Sequence, residues 1–238
     1  GVLTQKEAGQ LTEVLKELEA DAKKGNFSIE DDFEDMHSKI EYVLTEKLGA
    51  LGKKIHTARS RNDQVLVALH LYLKNEIGLI KGLTHDFFEM LMDLAEHNQQ
   101  RLMPGYTHCQ VAMPSSFGLW FSAYAETLID DVVLLNAAHQ LVDQNPLGSA
   151  AGYGSSFPID RKATTKSLGF KELKYNVIAA QMSRGKAEKI TATAIAALAA
   201  TLSKMAMDIC IYLGQEHNFI SFPDALTTGP SIMPHKKN

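Results

Sequence analysis

DQVLVALHLYLKNEIGLIKGLTHDFFEMLMDLAEHNQQRLM, residues 63–103, contains no proline and repeats its apolar positions with a helical period. Leu66, Leu73, Ile80, Phe87 and Leu94 recur every seven residues, and Leu69, Ile77, Leu83 and Leu91 fill the same face. The spacing predicts one long helix. At 1.5 Å per residue its thirty-odd residues reach roughly 50 Å, longer than an ordinary globular helix and suited to a bundle built around a shared seam. A second long helix is expected after Pro114, which fits a first turn because its missing N–H costs nothing there. Its apolar residues run through Leu119, Trp120, Tyr124, Leu128, Val132, Leu135 and Leu141 until Pro146. The third runs from about Ser183 to Leu213. Its centre, ITATAIAALAA, is rich in small residues and lets neighbouring helices approach closely.

Shorter helices precede this core. One spans about Thr4 to Lys23, with Leu11, Val14, Leu15 and Leu18 on one face, and another starts after Ser28, whose spacing to Asp31 looks like a capping box. No stretch shows convincing strand alternation, and there is no internal repeat or low-complexity linker. The expected fold class is therefore all-α, a long-helix bundle with a small helical N-terminal portion.

Composition narrows the function. With 238 residues, 45% hydrophobic and 22% charged, the chain has ample material for a core, which excludes disordered, collagenous and small disulfide-rich classes. A net charge of −4 without a sustained basic block leaves no field for a nucleic-acid backbone, so no nucleic-acid partner is expected. Cys109 and Cys210 fit neither a metal knuckle nor a disulfide framework, which points to a reducing compartment. The opening residues GVLTQKEAGQ lack the pattern of a signal peptide, and the nearly apolar run from Ile190 to Ala200 is too short to span a bilayer. A cytoplasmic protein without membrane contact is expected. Because IMPHKKN stops inside a loop, the chain also reads as a piece of something longer.

Four polar, glycine-containing segments interrupt the helical plan, and such loops on a rigid scaffold are where reactive groups belong. In HTARSRNDQV, 56–65, Arg59 and Arg61 flank Ser60, with Asn62 and Asp63 following, just before the long helix. A helix N-terminus with an arginine fork suits a carboxylate. The alternative is that Asn62 or Asp63 merely caps the helix while the arginines stay solvated. In PGYTHCQ, 104–110, Thr107 and His108 follow a Pro-Gly turn, and a loop histidine can move a proton near neutrality, although most do not. Cys109 is expected to pack. In NPLGSAAGYGSS, 145–156, the glycines fit a tight turn better than a phosphate cradle, because no strand precedes them, while Ser149, Ser155 and Ser156 could donate to a ligand. In TTGPSIMPHKKN, 227–238, a lysine on a Gly/Pro-bounded loop can stabilise an anion and close over it, or be an ordinary solvated tail.

This last segment resembles the pattern G-S-S-x-M-P-x-K-x-N of the fumarase/aspartase superfamily, whose members cleave C–N or C–O bonds by β-elimination and release fumarate. HTARSRNDQV and PGYTHCQ look like the first and second active-site segments of its argininosuccinate lyase branch. The HK pair in MPHKKN also occurs in adenylosuccinate lyases, but SRNDQV followed by YTHxQ points to the former. The resemblance implies a remainder of an N-terminal helical domain over 1–55 and a central bundle domain over 56–238. It further implies a homotetramer whose active sites each draw on three subunits, and a reversible conversion of argininosuccinate to arginine and fumarate, as in arginine biosynthesis. No cofactor and no metal are implied. By match to the motifs, Lys236 and Asn238 would stabilise the doubly charged aci-carboxylate intermediate. Ser60, Arg61 and Asn62 would hold the substrate's carboxylates, Thr107 would add a hydroxyl, and His108 would handle a proton for the departing guanidinium nitrogen.

One departure from the pattern is chemical. The first serine after the glycine usually acts as the base, and Pro230, with neither hydroxyl nor N–H, stands there instead. Three outcomes remain open: Ser231 takes over, another group is the base, or catalysis is impaired. The first is favoured because the remaining motif residues are present. The resemblance also implies that substrate-binding segments lie outside these 238 residues, so that the chain by itself is expected to be inactive. Competing expectations are another fumarate-releasing lyase, adenylosuccinate lyase first, and a non-catalytic, crystallin-like structural relative.

Overall fold

The computed structural model describes residues 2–229, 231–233 and 235–236. Eight α-helices are described: α1 (Gln5–Lys23), α2 (Met36–Leu48), α3 (Ala50–Lys53), α4 (Arg61–His97), α5 (Phe117–Val142), α6 (Arg161–Ser167), α7 (Val177–Gln181) and α8 (Lys186–Leu213). Three of them are long, with 37 residues in α4, 26 in α5 and 28 in α8. The fold is an all-α long-helix bundle, as the periodicity implies.

Two compact units share these helices, Gly1–Lys74 with Leu141–Ala187, and Asn75–Gln140 with Glu188–Asn238. In the first, Leu11, Val14 and Leu44 form a buried cluster joined by Leu15, Leu18, Ile40 and Ile55. Thr4 caps α1 in a complete capping box with Glu7. The start of α2 differs from expectation. Asp35 rather than Ser28 is its N-cap, its side chain accepting from the Ser38 N–H at 2.9 Å. A second cluster, Val67, Leu147 and Phe170, packs the beginning of α4 against the chain that follows α5. A short parallel pair, β3 (Gln144–Asn145) with β4 (Glu172–Leu173), ties that chain together. Lys74 Nζ reaches Asp143 Oδ1 at 2.6 Å beside it.

In the second unit, Leu91, Tyr124, Ala125, Leu128 and Met205 are the buried centre, with Phe87, Phe88, Trp120, Phe121, Leu198 and Ile209 around it. Only one stripe of α8 is buried, including Thr191, Ala194 and Met205. By length and composition α8 is long and apolar enough to cross a membrane, since the helix extends well beyond the run Ile190–Ala200.

The segment between α4 and α5 is a correction. It forms an antiparallel hairpin, β1 (Leu102–Thr107) with β2 (Gln110–Ser116), irregular between Gly105 and Tyr106. Pro114 pairs with Pro104 inside this hairpin instead of opening α5. Ser116 takes the capping role, its hydroxyl accepting from the Leu119 N–H at 3.1 Å. Strand alternation is missing because neither face is consistently buried, and Leu102, Val111 and Met113 are all exposed.

Gly118, in the first turn of α5, permits this junction. A Cβ there would lie 2.6 Å from the Gln99 Cα and 2.7 Å from the Ala95 carbonyl oxygen, backbone atoms that cannot swing away. Gly118→Ala should lower stability by about 1–3 kcal/mol, read as a reduced midpoint in chemical denaturation with an unchanged slope.

Candidate active site

Ser60, Arg61 and Asn62 form the N-terminal edge of α4, and the local hydrogen bonding shows why the helix starts there. The Ser60 hydroxyl accepts from the Asn62 N–H at 3.3 Å, and the Asp63 carboxylate accepts from the Ser60 N–H at 2.9 Å. Asp63 is thus a cap, as one reading of the sequence allows. It is also more, because its second oxygen accepts from the Gly148 and Ala150 N–H groups, each at 2.9 Å. That ties segment 56–65 to the glycine-containing segment 145–156.

The latter is a built turn. Gly148 has φ +85°, and Ala150 is held at φ 51°. Arg161 clamps the loop by donating to the carbonyls of Leu147, Lys174 and Tyr175 at 2.9, 2.8 and 3.0 Å. Burial lowers the Arg161 pKa, and the charge of Asp63 opposes that shift. Ser149, considered above as a ligand donor, is fully buried and accepts from Gln181 Nε2 at 2.8 Å, whereas Ser155 and Ser156 are exposed.

Arg61 is engaged by its own unit. Nε lies 3.4 Å from Asp35 and Nη1 lies 3.4 Å from Glu41, while Nη2 donates to the Ser38 hydroxyl at 3.1 Å. Glu41 is also 2.7 Å from His56 Nδ1. Around this network burial lowers the His37 pKa, with Arg61 adding to the shift and Asp35 and Glu41 opposing it. Burial raises Asp35, but the Ser38 backbone N–H and the Arg61 charge outweigh it and leave the carboxyl below its usual range. Asn62 is exposed at the edge of this arrangement.

Thr107 and His108 lie in the other unit, at the tip of the hairpin. Thr107 pairs with Gln110, leaving His108 and Cys109 as the two turn residues at φ 53° and 60°. Both central residues in the left-handed region define a type I′ turn, usually made by Asn-Gly. Cys109 is exposed rather than packed. The strand below is anchored by aromatic contacts: Tyr106 meets His217 and Phe219 at 5.6 and 6.4 Å between ring centroids, and Phe219 meets Tyr212 at 5.6 Å. Tyr212 packs on Trp120, whose indole N–H donates to Asp208 at 3.1 Å. The Tyr124 hydroxyl donates to the same carboxylate at 2.7 Å, and burial together with this bond pushes its pKa upward.

Ser231 and Lys236 are exposed on the segment after α8, and the Lys236 N–H donates to the Met233 carbonyl at 3.0 Å. Asn238 and Pro230 lie outside the described residues. Among the described residues no group of three or more His, Cys, Asp and Glu could hold a metal ion. The residues of this network missed by the sequence reading are Arg161 and Gln181, whose partners are backbone atoms or a buried serine and leave no spacing signal.

Long helices interrupted by these polar segments define a helical-bundle scaffold that carries its reactive side chains on the connecting loops. All 238 residues match the lyase family, and the chain belongs to it. It is 54% identical over its whole length to the argininosuccinate lyase of Bacteroides fragilis and 44% identical to that of Xanthomonas campestris, covering 53% and 55% of those proteins. The chain thus spans about half the length of the curated relatives it matches. Among solved structures, an EDDS lyase in complex with formate superimposes with a TM-score of 0.90 at 25% identity, over 100% of this chain and 46% of that one. A fumarate lyase:delta crystallin from Brucella melitensis bound to cobalt gives a TM-score of 0.81 at 20% identity, over 99% of this chain and 57% of that one, a likeness of fold.

The strained turn offers a direct check of the hairpin geometry. Cys109→Gly removes a Cβ from a left-handed position and should raise stability by about 1 kcal/mol, seen as a higher denaturation midpoint.

Proposed function

We propose that the chain supplies the first, second and signature segments of an argininosuccinate lyase, catalysing the reversible β-elimination of argininosuccinate to arginine and fumarate. The observation that carries this reading is the 43–54% identity to argininosuccinate lyases along all 238 residues, with SRNDQV, YTHCQ and MPHKKN in order. In this mechanism a base removes the proton beside a substrate carboxylate, and the electron pair passes into an aci-carboxylate. Its collapse forms the C=C bond and expels the guanidinium nitrogen, which takes up a proton.

Ser231 is the proposed base, displaced by one position from the family serine because Pro230 has no hydroxyl. Lys236 and Asn238 stabilise the intermediate, and His108 acts in protonating the leaving nitrogen. Ser60 and Asn62 hold a carboxylate at the positive end of α4, with Thr107 adding a hydroxyl. Arg61 contributes its charge to this region and must exchange Asp35 or Glu41 to bind directly. In this reading residues 1–55 belong to an N-terminal helical domain and 56–238 to the bundle domain.

Assembly as a cytoplasmic homotetramer, with each site drawn from three subunits, is part of the same proposal. Exposed apolar residues on the three long helices support it, among them Leu79, Leu83, Val133, Leu202, Met207 and Ile211. Helices of further copies would cover them and make α8 a bundle helix. Pro230 favours a second reading, a non-catalytic structural relative.

Fumarate release, followed by absorbance with argininosuccinate and adenylosuccinate offered separately to the full-length protein, tests the proposal. Turnover of argininosuccinate alone is expected; turnover of adenylosuccinate instead would reassign the substrate, and fumarate release from neither would remove the enzymatic reading. Ser231→Ala should reduce kcat by about a hundredfold or more; near-normal elimination would exclude Ser231 as the base.

A further inference from the structure

The glycine-containing segment 145–156 has no part in the reaction as proposed so far, yet it is bonded directly to one that does. The junction is Asp63, which is fully buried and lies one residue beyond Asn62 and three beyond Ser60. Its carboxylate accepts three backbone N–H groups, one from Ser60 on one oxygen, and those of Gly148 and Ala150 on the other, all at 2.9 Å. A helix cap needs only the first of these bonds. The other two fix the distance between the first turn of α4 and a loop that is itself immobilised.

That loop is held from three sides. Arg161 spans it by donating to the Leu147, Lys174 and Tyr175 carbonyls, and its aliphatic stem lies where a Gly148 Cβ would be, 2.8 Å from Arg161 Cγ. Gln181 Nε2 donates to the Ser149 hydroxyl at 2.8 Å and to the Ala150 carbonyl at 2.9 Å. Asp63 closes the third side. A non-glycine residue at φ 51°, such as Ala150, persists only where its surroundings over-determine it.

We propose that Asp63 is a positioning residue for the elimination reaction: its buried carboxylate holds Ser60 and Asn62 at a fixed place against the loop 147–150 and thereby sets where they meet the substrate carboxylate. The proposal rests on the reading that Ser60 and Asn62 bind that carboxylate. An acceptor oxygen on both arms is what the geometry requires. An amide of the same size offers one acceptor, and its NH2 group would face an N–H either at Ser60 or at the loop. A displacement of about 1 Å in such a site can cost a hundredfold in efficiency.

Steady-state kinetics of the full-length protein with argininosuccinate test this through Asp63→Asn, Asn62→Ala and the double variant. Asp63→Asn should raise KM tenfold or more, with kcat within about threefold because Ser231 and Lys236 are untouched. Asn62→Ala should also raise KM, and the double variant should be no worse than the weaker-binding single, because Asp63 acts through its neighbour. A folded Asp63→Asn enzyme with lowered thermal stability and unchanged KM would reduce the carboxylate to a structural role and overturn the proposal. KM increases that multiply in the double variant would overturn it as well. Unchanged KM in Asn62→Ala would instead remove the underlying binding reading, and the proposal with it, so the two failures are told apart. If Asp63→Asn does not fold, Gln181→Ala loosens the same loop from its far side. It should raise KM severalfold, and an unchanged KM in that folded variant would overturn the proposal equally.

Discussion

A helix as long as α4 can bury polar side chains only where each finds a partner, in another chain segment or in the helix's own backbone. Every seventh residue from Asp63 in its first turn, namely Asp63, His70, Ile77, Thr84 and Leu91, is buried, and three of the five are polar. Leaving such groups without partners would cost about 1–3 kcal/mol each, and more for a charge. The first two recruit the same stretch of chain. Asp63 draws in the backbone of Gly148 and Ala150, and the His70 Nδ1–H donates to the carbonyls of Val142 and Gln144 at 3.0 Å. Thr84 instead turns its hydroxyl back to the Ile80 carbonyl, so no outside segment is needed there. The path of residues 142–150 therefore follows from where α4 carries polar groups inward, and the Arg161 and Gln181 contacts are built upon that path.

The three long helices were legible because their apolar residues repeat over many turns. The column that is most deeply buried was harder to see. The apolar positions Leu66, Leu73, Ile80, Phe87 and Leu94 predict the seam, yet the adjacent column of Asp63, His70, Ile77, Thr84 and Leu91 is more enclosed, and its polar members conceal it from hydrophobic periodicity. Leu83, assigned to the inward face, is 69% exposed. The hairpin was hidden for the opposite reason, since strands without a consistently buried face carry no alternation. Of the site, the motif residues were visible by resemblance and by their loops. Asp63 was readable only as a cap, because its bonds to Gly148 and Ala150 go to backbone groups, which any sequence supplies.

The placement of the proposed catalytic groups has a common character. Thr107, His108, Ser231 and Lys236 are all exposed. Removing a weakly acidic proton beside a carboxylate depends on preorganised charge in a site from which water is excluded. A single copy does not enclose these groups, and the apolar faces of α4, α5 and α8 are open in the same way. Both features would be answered together if the proposed assembly buries the helices, because the loops at their ends would then be brought against other copies.

Pro104 and Pro114 stand opposite each other in the hairpin. A residue without an N–H fits a two-stranded ladder where its nitrogen points outward, so each free edge loses one donor at the same level. An exposed hairpin with Val111 and Met113 on its surface would otherwise invite a strand from a neighbouring molecule. The proline pair blunts both edges at once, so the exposed hairpin that presents His108 is a poor template for a stray strand.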